Sequence, residues 1–200
     1  MRPGLYLQDR WLEGVVFDLD GTLVDSRLDF AAMRHELGCP SGSDVLEYIG
    51  SLPQERQESA HDVVLHHERE GAERAKWMPG AERCLRRLEK AGVPVAILTR
   101  NARAIAQLTL ERLGARIPLL LAREDAAPKP APDGLLNIAA AWQLQPQQMA
   151  YVGDYRFDLE AAFNARMTGV YYDPSRSDRY SHLAEVVIHH FDELMPAGSR

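Results

Sequence analysis

Two aspartates one residue apart, Asp18 and Asp20, end the apolar run Val15-Val16-Phe17 and are followed at once by Gly21 and Thr22. Along a strand, side chains two apart point to the same face. Like charges set together repel, and each raises the other's proton affinity unless a cation sits between them. A hard divalent ion held by a few oxygens, such as Mg2+, suits that position. Three more polar groups follow: Thr99-Arg100-Asn101, Lys129 between Pro128 and Pro130, and Gly153-Asp154 with Asp158 four residues on. The hydroxyl of Thr99, the backbone N–H groups beside it and the start of the next helix suit a phosphate. Thr99 is equally suited to capping that helix. Alone, Lys129 is an ordinary loop lysine, and an acid such as Asp158 is favoured in the first turn of a helix in any case.

These groups converge only if the chain between them is laid out in a particular way. Residues 93–98, 117–121 and 149–152 are short apolar runs like the one before Asp18. Helical patterns separate them: 81–90 closed by Gly92, 102–113 closed by Gly114, 133–142 and 159–165, with late strands at 170–172 and 185–188. Short apolar strands between helices of this length predict a parallel sheet covered on both faces. Right-handed crossovers bring the carboxyl ends of the strands to one edge, where ligands of such sheets bind. Each polar group follows one of these strands.

Residues 26–77 read differently. Leu28, Ala31, Ala32 and His35 are spaced for one helical face, stopped by Gly38 and Pro40. Another helical piece begins over 44–49. Pro53 then opens a long charged segment through Ala75, with Ala60, Val63, Val64 and His67 as its inner stripe and mixed charges on a solvated face. The expected fold class is α/β: a Rossmann-like parallel sheet sandwiched by helices, made of residues 1–25 and 78–200, with a small all-helical insert over 26–77 after the first strand.

The formal charge of −6 argues against non-specific nucleic-acid binding. The apolar run 117–122 is too short to span a bilayer, and the N-terminal stretch, interrupted by Asp9 and Glu13, lacks the form of a signal peptide. Cys39 and Cys84 have no metal-type spacing and fit a reducing cytoplasm as small packed residues. His66-His67 and His189-His190 are adjacent pairs, and neighbours on a helix point apart. Trp11, Trp77 and Trp142 read as packing residues. The expectation is a cytoplasmic protein with no membrane or nucleic-acid partner. Oligomeric state is not readable.

The order Asp-Leu-Asp-Gly-Thr at 18–22, Leu-Thr-Arg-Asn at 98–101, Lys-Pro-Ala-Pro at 129–132 and Val-Gly-Asp-Tyr-Arg-Phe-Asp at 152–158 resembles the haloacid dehalogenase superfamily. Within it, the chain is similar to the phosphoglycolate-phosphatase-like group, which carries a helical cap directly after the first motif. The resemblance covers residues 14–194, and the insert fills the cap position. It implies a Mg2+-dependent phosphatase acting on a small phosphorylated metabolite, with phosphoglycolate-like esters or sugar phosphates as the leading classes. Asp18 would be the nucleophile that becomes an aspartyl-phosphate. Asp20 would be the general acid and then the base, lending its backbone carbonyl to the metal. Asp18 and Asp154 would bind the metal, with Asp158 behind them. Thr99, Arg100, Asn101 and Lys129 would bind the phosphate.

The same motifs would serve a sugar-phosphate mutase, and a fold that kept its shape but lost activity would be a binding or regulatory module. A dehalogenase is disfavoured, because Asp20 and Asp154 would then have no leaving alcohol and no metal to serve. Arg100 and Arg156 are bulky or charged for their positions and are candidates for a second anionic group on the substrate. Substrate choice in this group lies largely in the cap, where the candidates are Arg27, Arg34, His35 and Tyr48.

Overall fold

The computed structural model describes residues 3–196. Leu5–Leu7 (β1) and Arg10–Leu12 (β2) form a hairpin that the sequence reading lacked, with Leu5 and Leu7 buried and Tyr6 exposed. Gly14–Phe17 (β3) is buried throughout and leads to Val24–Asp25 (β4). Then come helices Phe30–Leu37 (α1), Val45–Ser51 (α2) and Gln54–Arg74 (α3), and Lys76–Trp77 (β5), which pairs back onto β4. The two-strand β4–β5 ribbon closes the neck of the insert.

The remainder alternates as its spacing predicts. Ala81–Lys90 (α4), Val95–Leu98 (β6), Arg103–Arg112 (α5), Leu119–Leu121 (β7) and Asp133–Trp142 (α6) follow in turn. Met149–Gly153 (β8), Arg156–Ala165 (α7), Thr168–Tyr172 (β9), Val186–Ile188 (β10) and Met195–Pro196 (β11) complete the chain. Six strands form one parallel sheet in the order β10-β9-β8-β3-β6-β7. Val15, Phe17, Ile97 and Val152 pack on one face, and Val16, Leu98 and Tyr151 on the other, so both faces are covered. Phe17 lies in register with Val152 of β8 and Ile97 of β6. The residues just beyond these positions, Asp18, Gly153-Asp154 and Thr99, therefore leave the sheet side by side.

Within the insert, Met33, Leu37, Val45, Ile49, Ala60 and Val64 build a separate apolar cluster. The face expected for α1 is displaced. The helix starts only at Phe30, where Asp29 accepts hydrogen bonds from the N–H groups of Ala31 and Ala32 at 3.0 and 2.8 Å. Met33 and Leu37, one turn apart, are buried, and Ala31, Ala32 and His35 are exposed. Pro196 pairs with Leu5, and residues 197–200 lie outside the described residues. Among the described residues no helix is long and apolar enough to cross a membrane.

Candidate active site

Lys129, in the loop between β7 and α6, is the hub of the carboxyl edge. It is buried, and its Nζ donates to Asp18 Oδ1 and Asp158 Oδ1, both at 2.6 Å, and to the Tyr151 hydroxyl at 2.9 Å. The Tyr151 hydroxyl also lies 3.0 Å from both the Leu98 carbonyl and Asp158 Oδ1. Burial works against the charge on Lys129, yet Asp158 and Asp18 together hold its ammonium above the ordinary lysine value. Burial likewise pushes the Asp18 carboxyl well up, against Lys129 and with help from Asp158 and Asp154.

Asp154 follows β8 and accepts from the Thr22 hydroxyl at 3.1 Å. Burial, then the charge of Asp158, raises it to about 7. The turn after β3 is shaped around it: Gly21 has φ +83°, and a Cβ there would strike the Asp154 carboxylate. Gly153 is similarly close-packed, since a Cβ would strike the side chain of Asp158. Asp158 sits in the first turn of α7 and accepts from the Tyr155 N–H at 3.0 Å. Carboxylate oxygens of Asp18, Asp154 and Asp158 lie within 4.8 Å of one another.

The crowding that the sequence suggested between Asp18 and Asp20 is between Asp18 and these two later acids. β3 ends at Phe17, so strand alternation does not extend to Asp20. Its carboxylate instead accepts from Asn101 Nδ2 at 2.5 Å. Burial raises the Asp20 carboxyl, and hydrogen bonds from Ser26 and Asn101 oppose the rise. Thr99 is buried, and its Oγ1 accepts from the Asn101 N–H at 3.1 Å.

Thr99 does not cap α5, whose first N–H groups are taken by two carboxylates. Glu68 of α3 accepts from the Ala102 N–H at 3.4 Å, and Glu124 accepts from the Arg103 N–H at 3.1 Å. Glu68 also receives Arg123 Nη2 at 2.7 Å, yet its burial drives it up to about 7. Arg100 lines the same cavity as Thr99 and Lys129, and its guanidinium is held by the insert. It donates to both oxygens of Asp44, the N-cap of α2, at 2.7 and 2.8 Å, and lies 5.0 Å from the Phe157 ring centroid.

A cavity of about 240 Å³ joins the sheet edge to the insert, and Asp18, Asp20, Thr99, Lys129, Asp154 and Asp158 line its floor. Arg34 and Arg156 line it too, but Arg27, His35 and Tyr48 do not. Arg27 is exposed beside Asp25, His35 lies on the outer face of α1, and the Tyr48 hydroxyl is 3.5 Å from the Leu37 carbonyl within the insert. Sequence reasoning missed Tyr151, Thr22, Asp44 and Glu68. In the histidine pair, His66 lies beside Glu70 and His67 Nε2 meets Glu36 Oε2 at 2.9 Å, and neither lines the cavity.

A parallel sheet with this acid-and-lysine edge beneath a helical insert defines a hydrolase of the haloacid dehalogenase class. The chain belongs to the haloacid dehalogenase-like hydrolase family, whose model matches residues 12–166. A haloacid dehalogenase-like hydrolase domain-containing protein of Arabidopsis thaliana is 34% identical over 154 residues, 72% of this chain and 63% of that protein, so the match spans a little under two-thirds of the relative. The phosphoglycolate phosphatase of Xanthomonas campestris pv. campestris is 32% identical over 183 residues, 80% of this chain and 83% of that protein. In fold, a solved hydrolase from Pseudomonas syringae superposes with a TM-score of 0.75 at 23% identity, over 90% of this chain and 94% of that one.

Proposed function

We propose that this chain is a Mg2+-dependent phosphatase that hydrolyses a small phosphate monoester through an aspartyl-phosphate on Asp18, with α1–α3 acting as its cap. The observation that carries this reading is the cluster of three carboxylates, Asp18, Asp154 and Asp158, served by the single buried ammonium of Lys129. That set is short of positive charge, three carboxylates to one ammonium, and all-oxygen donors suit a hard divalent ion. Asp18, Asp154 and the backbone carbonyl of Asp20 would hold it. Asp158 is already occupied by Lys129, Tyr151 and the Tyr155 N–H. When bound, Mg2+ offsets the repulsion between Asp18 and an incoming phosphate.

With Oδ1 held by Lys129, Asp18 offers its other oxygen to phosphorus. The Asp18–phosphorus bond forms as the bond to the ester oxygen breaks. Asp20, whose burial favours the protonated form, gives its proton to the departing alcohol. It then takes a proton from water, which attacks the aspartyl-phosphate and frees Asp18 and inorganic phosphate. The Thr99 hydroxyl and Lys129 hold phosphoryl oxygens where negative charge spreads. The free thiols of Cys39 and Cys84 are in keeping with a reducing, cytoplasmic setting.

The test is phosphate release from a panel of monoesters with Mg2+ and again with a chelator. Release with Mg2+ that is lost on chelation is expected. Release indifferent to chelation, or none across the panel, contradicts the proposal.

A further inference from the structure

Resting on the phosphatase reading above, we infer that the alcohol half of the substrate is a compact apolar group rather than a sugar. Away from Asp18 the cavity runs into the insert, where Leu28, Phe30, Met33, Val45, Leu46 and Val64 wall it. The carboxylates on that side, Asp44 and Glu68, and the Arg34 guanidinium are engaged within the protein. Both oxygens of Asp44 receive Arg100, and Oδ1 also receives the Glu47 N–H at 3.0 Å. Glu68 receives Arg123, while Arg34 donates Nε to the Ser43 carbonyl at 2.9 Å and Nη1 to the Phe30 carbonyl at 3.3 Å.

A sugar would set most of its hydroxyls against this apolar wall, where they find no partner. Each buried hydroxyl left without a partner costs roughly tenfold in affinity or more. An apolar body gains instead, by leaving water. At about 240 Å³ the cavity is smaller than the roughly 300–1,000 Å³ of most ligand pockets, which favours a short branched or unbranched carbon chain. Arg156, 4.6 Å from the Phe157 ring centroid, is the cation that a carboxylate-bearing ester would use, so 2-phosphoglycolate is the competing substrate.

The experiment compares kcat/KM in Mg2+ for three esters of primary alcohols: 3-methylbutyl phosphate, glycerol 1-phosphate and 2-phosphoglycolate. At least a tenfold preference for the methylbutyl ester is expected. Phe30 is half-exposed, so Phe30→Ala leaves the core intact and should cut that preference several-fold, chiefly through KM. Equal or better turnover of glycerol 1-phosphate or 2-phosphoglycolate overturns the inference. If Asp18→Asn is inactive on all three in that case, the phosphatase reading survives without it. If no ester is hydrolysed, or Asp18→Asn hydrolyses them as well as the wild type, the phosphatase reading falls and takes the inference with it.

Discussion

The guanidinium of Arg100 grips both carboxylate oxygens of Asp44, at 2.7 and 2.8 Å, and so ties the strand edge that carries Thr99 to the start of α2 in the insert. Both side chains are about one-fifth exposed, which leaves the pair only partly screened by water. Bidentate arginine–carboxylate pairs are geometrically demanding and hold two surfaces in one relative position. The pair thus joins the insert to the sheet edge at the cavity, one residue from Thr99.

Arg100→Ala and Asp44→Ala should each lower kcat/KM by about tenfold, mainly through KM, and the double variant should be little worse than either. A double-mutant cycle on kcat/KM is expected to give a coupling of about 1 kcal/mol. Strict additivity would show that the two residues act separately.

Removing the hub has a larger effect. Lys129→Ala leaves Asp18, Asp158 and the Tyr151 hydroxyl facing one another in a buried site with no side-chain cation. Loss of one partner from a buried pair costs about 3–5 kcal/mol. Denaturant unfolding of the metal-free variant should show that loss, and phosphate release should fall by roughly a hundredfold or more. A variant that unfolds like the wild type would mean the ammonium is dispensable for this cluster.

How far these residues were legible in the sequence follows from how local their constraints are. Asp18, Thr99 and Asp154 were readable because each directly follows an apolar strand, and strand ends share an edge. Lys129 was readable from its prolines and its place between motifs. The pairing of Arg100 was not readable because its partner, Asp44, is 56 positions away, and spacing says nothing of such a pair. Two missed residues did leave a signal. Glu68 continues the buried stripe Ala60, Val64 at intervals of four, so an acid on that face required a partner. Tyr151 lies in a wholly buried strand, where a hydroxyl must find one too. The hairpin of β1 and β2 was lost because three-residue strands carry almost no periodicity.

Glu68 also sets a pH dependence. Burial outweighs Arg123 and raises it from 4.5 to about 7, so the folded chain holds this proton more tightly than the unfolded one. Its contribution to stability is complete below about pH 4.5 and is lost as pH rises to about 7, a change of order 3 kcal/mol. In saturating Mg2+ the metal-binding carboxylates should stay ionised, which leaves Glu68 and Asp20 as the buried carboxyls raised above their ordinary values, and Glu68→Gln removes the share of Glu68. Thermal melts between pH 5 and 7.5 should fall with pH in the wild type and flatten in Glu68→Gln. Parallel slopes in the two proteins would remove Glu68 from the account.

The central claim is that Asp18 carries the phosphoryl group. Its most direct test is acid quenching during turnover of a hydrolysed ester, in an Asp20→Asn background that slows the second step, followed by peptide mass mapping. One added phosphoryl group on the peptide containing Asp18, absent when Asp18 is changed to Asn, is predicted. Phosphate release that persists in Asp18→Asn, or a phosphoryl group mapped to any other residue, would contradict it.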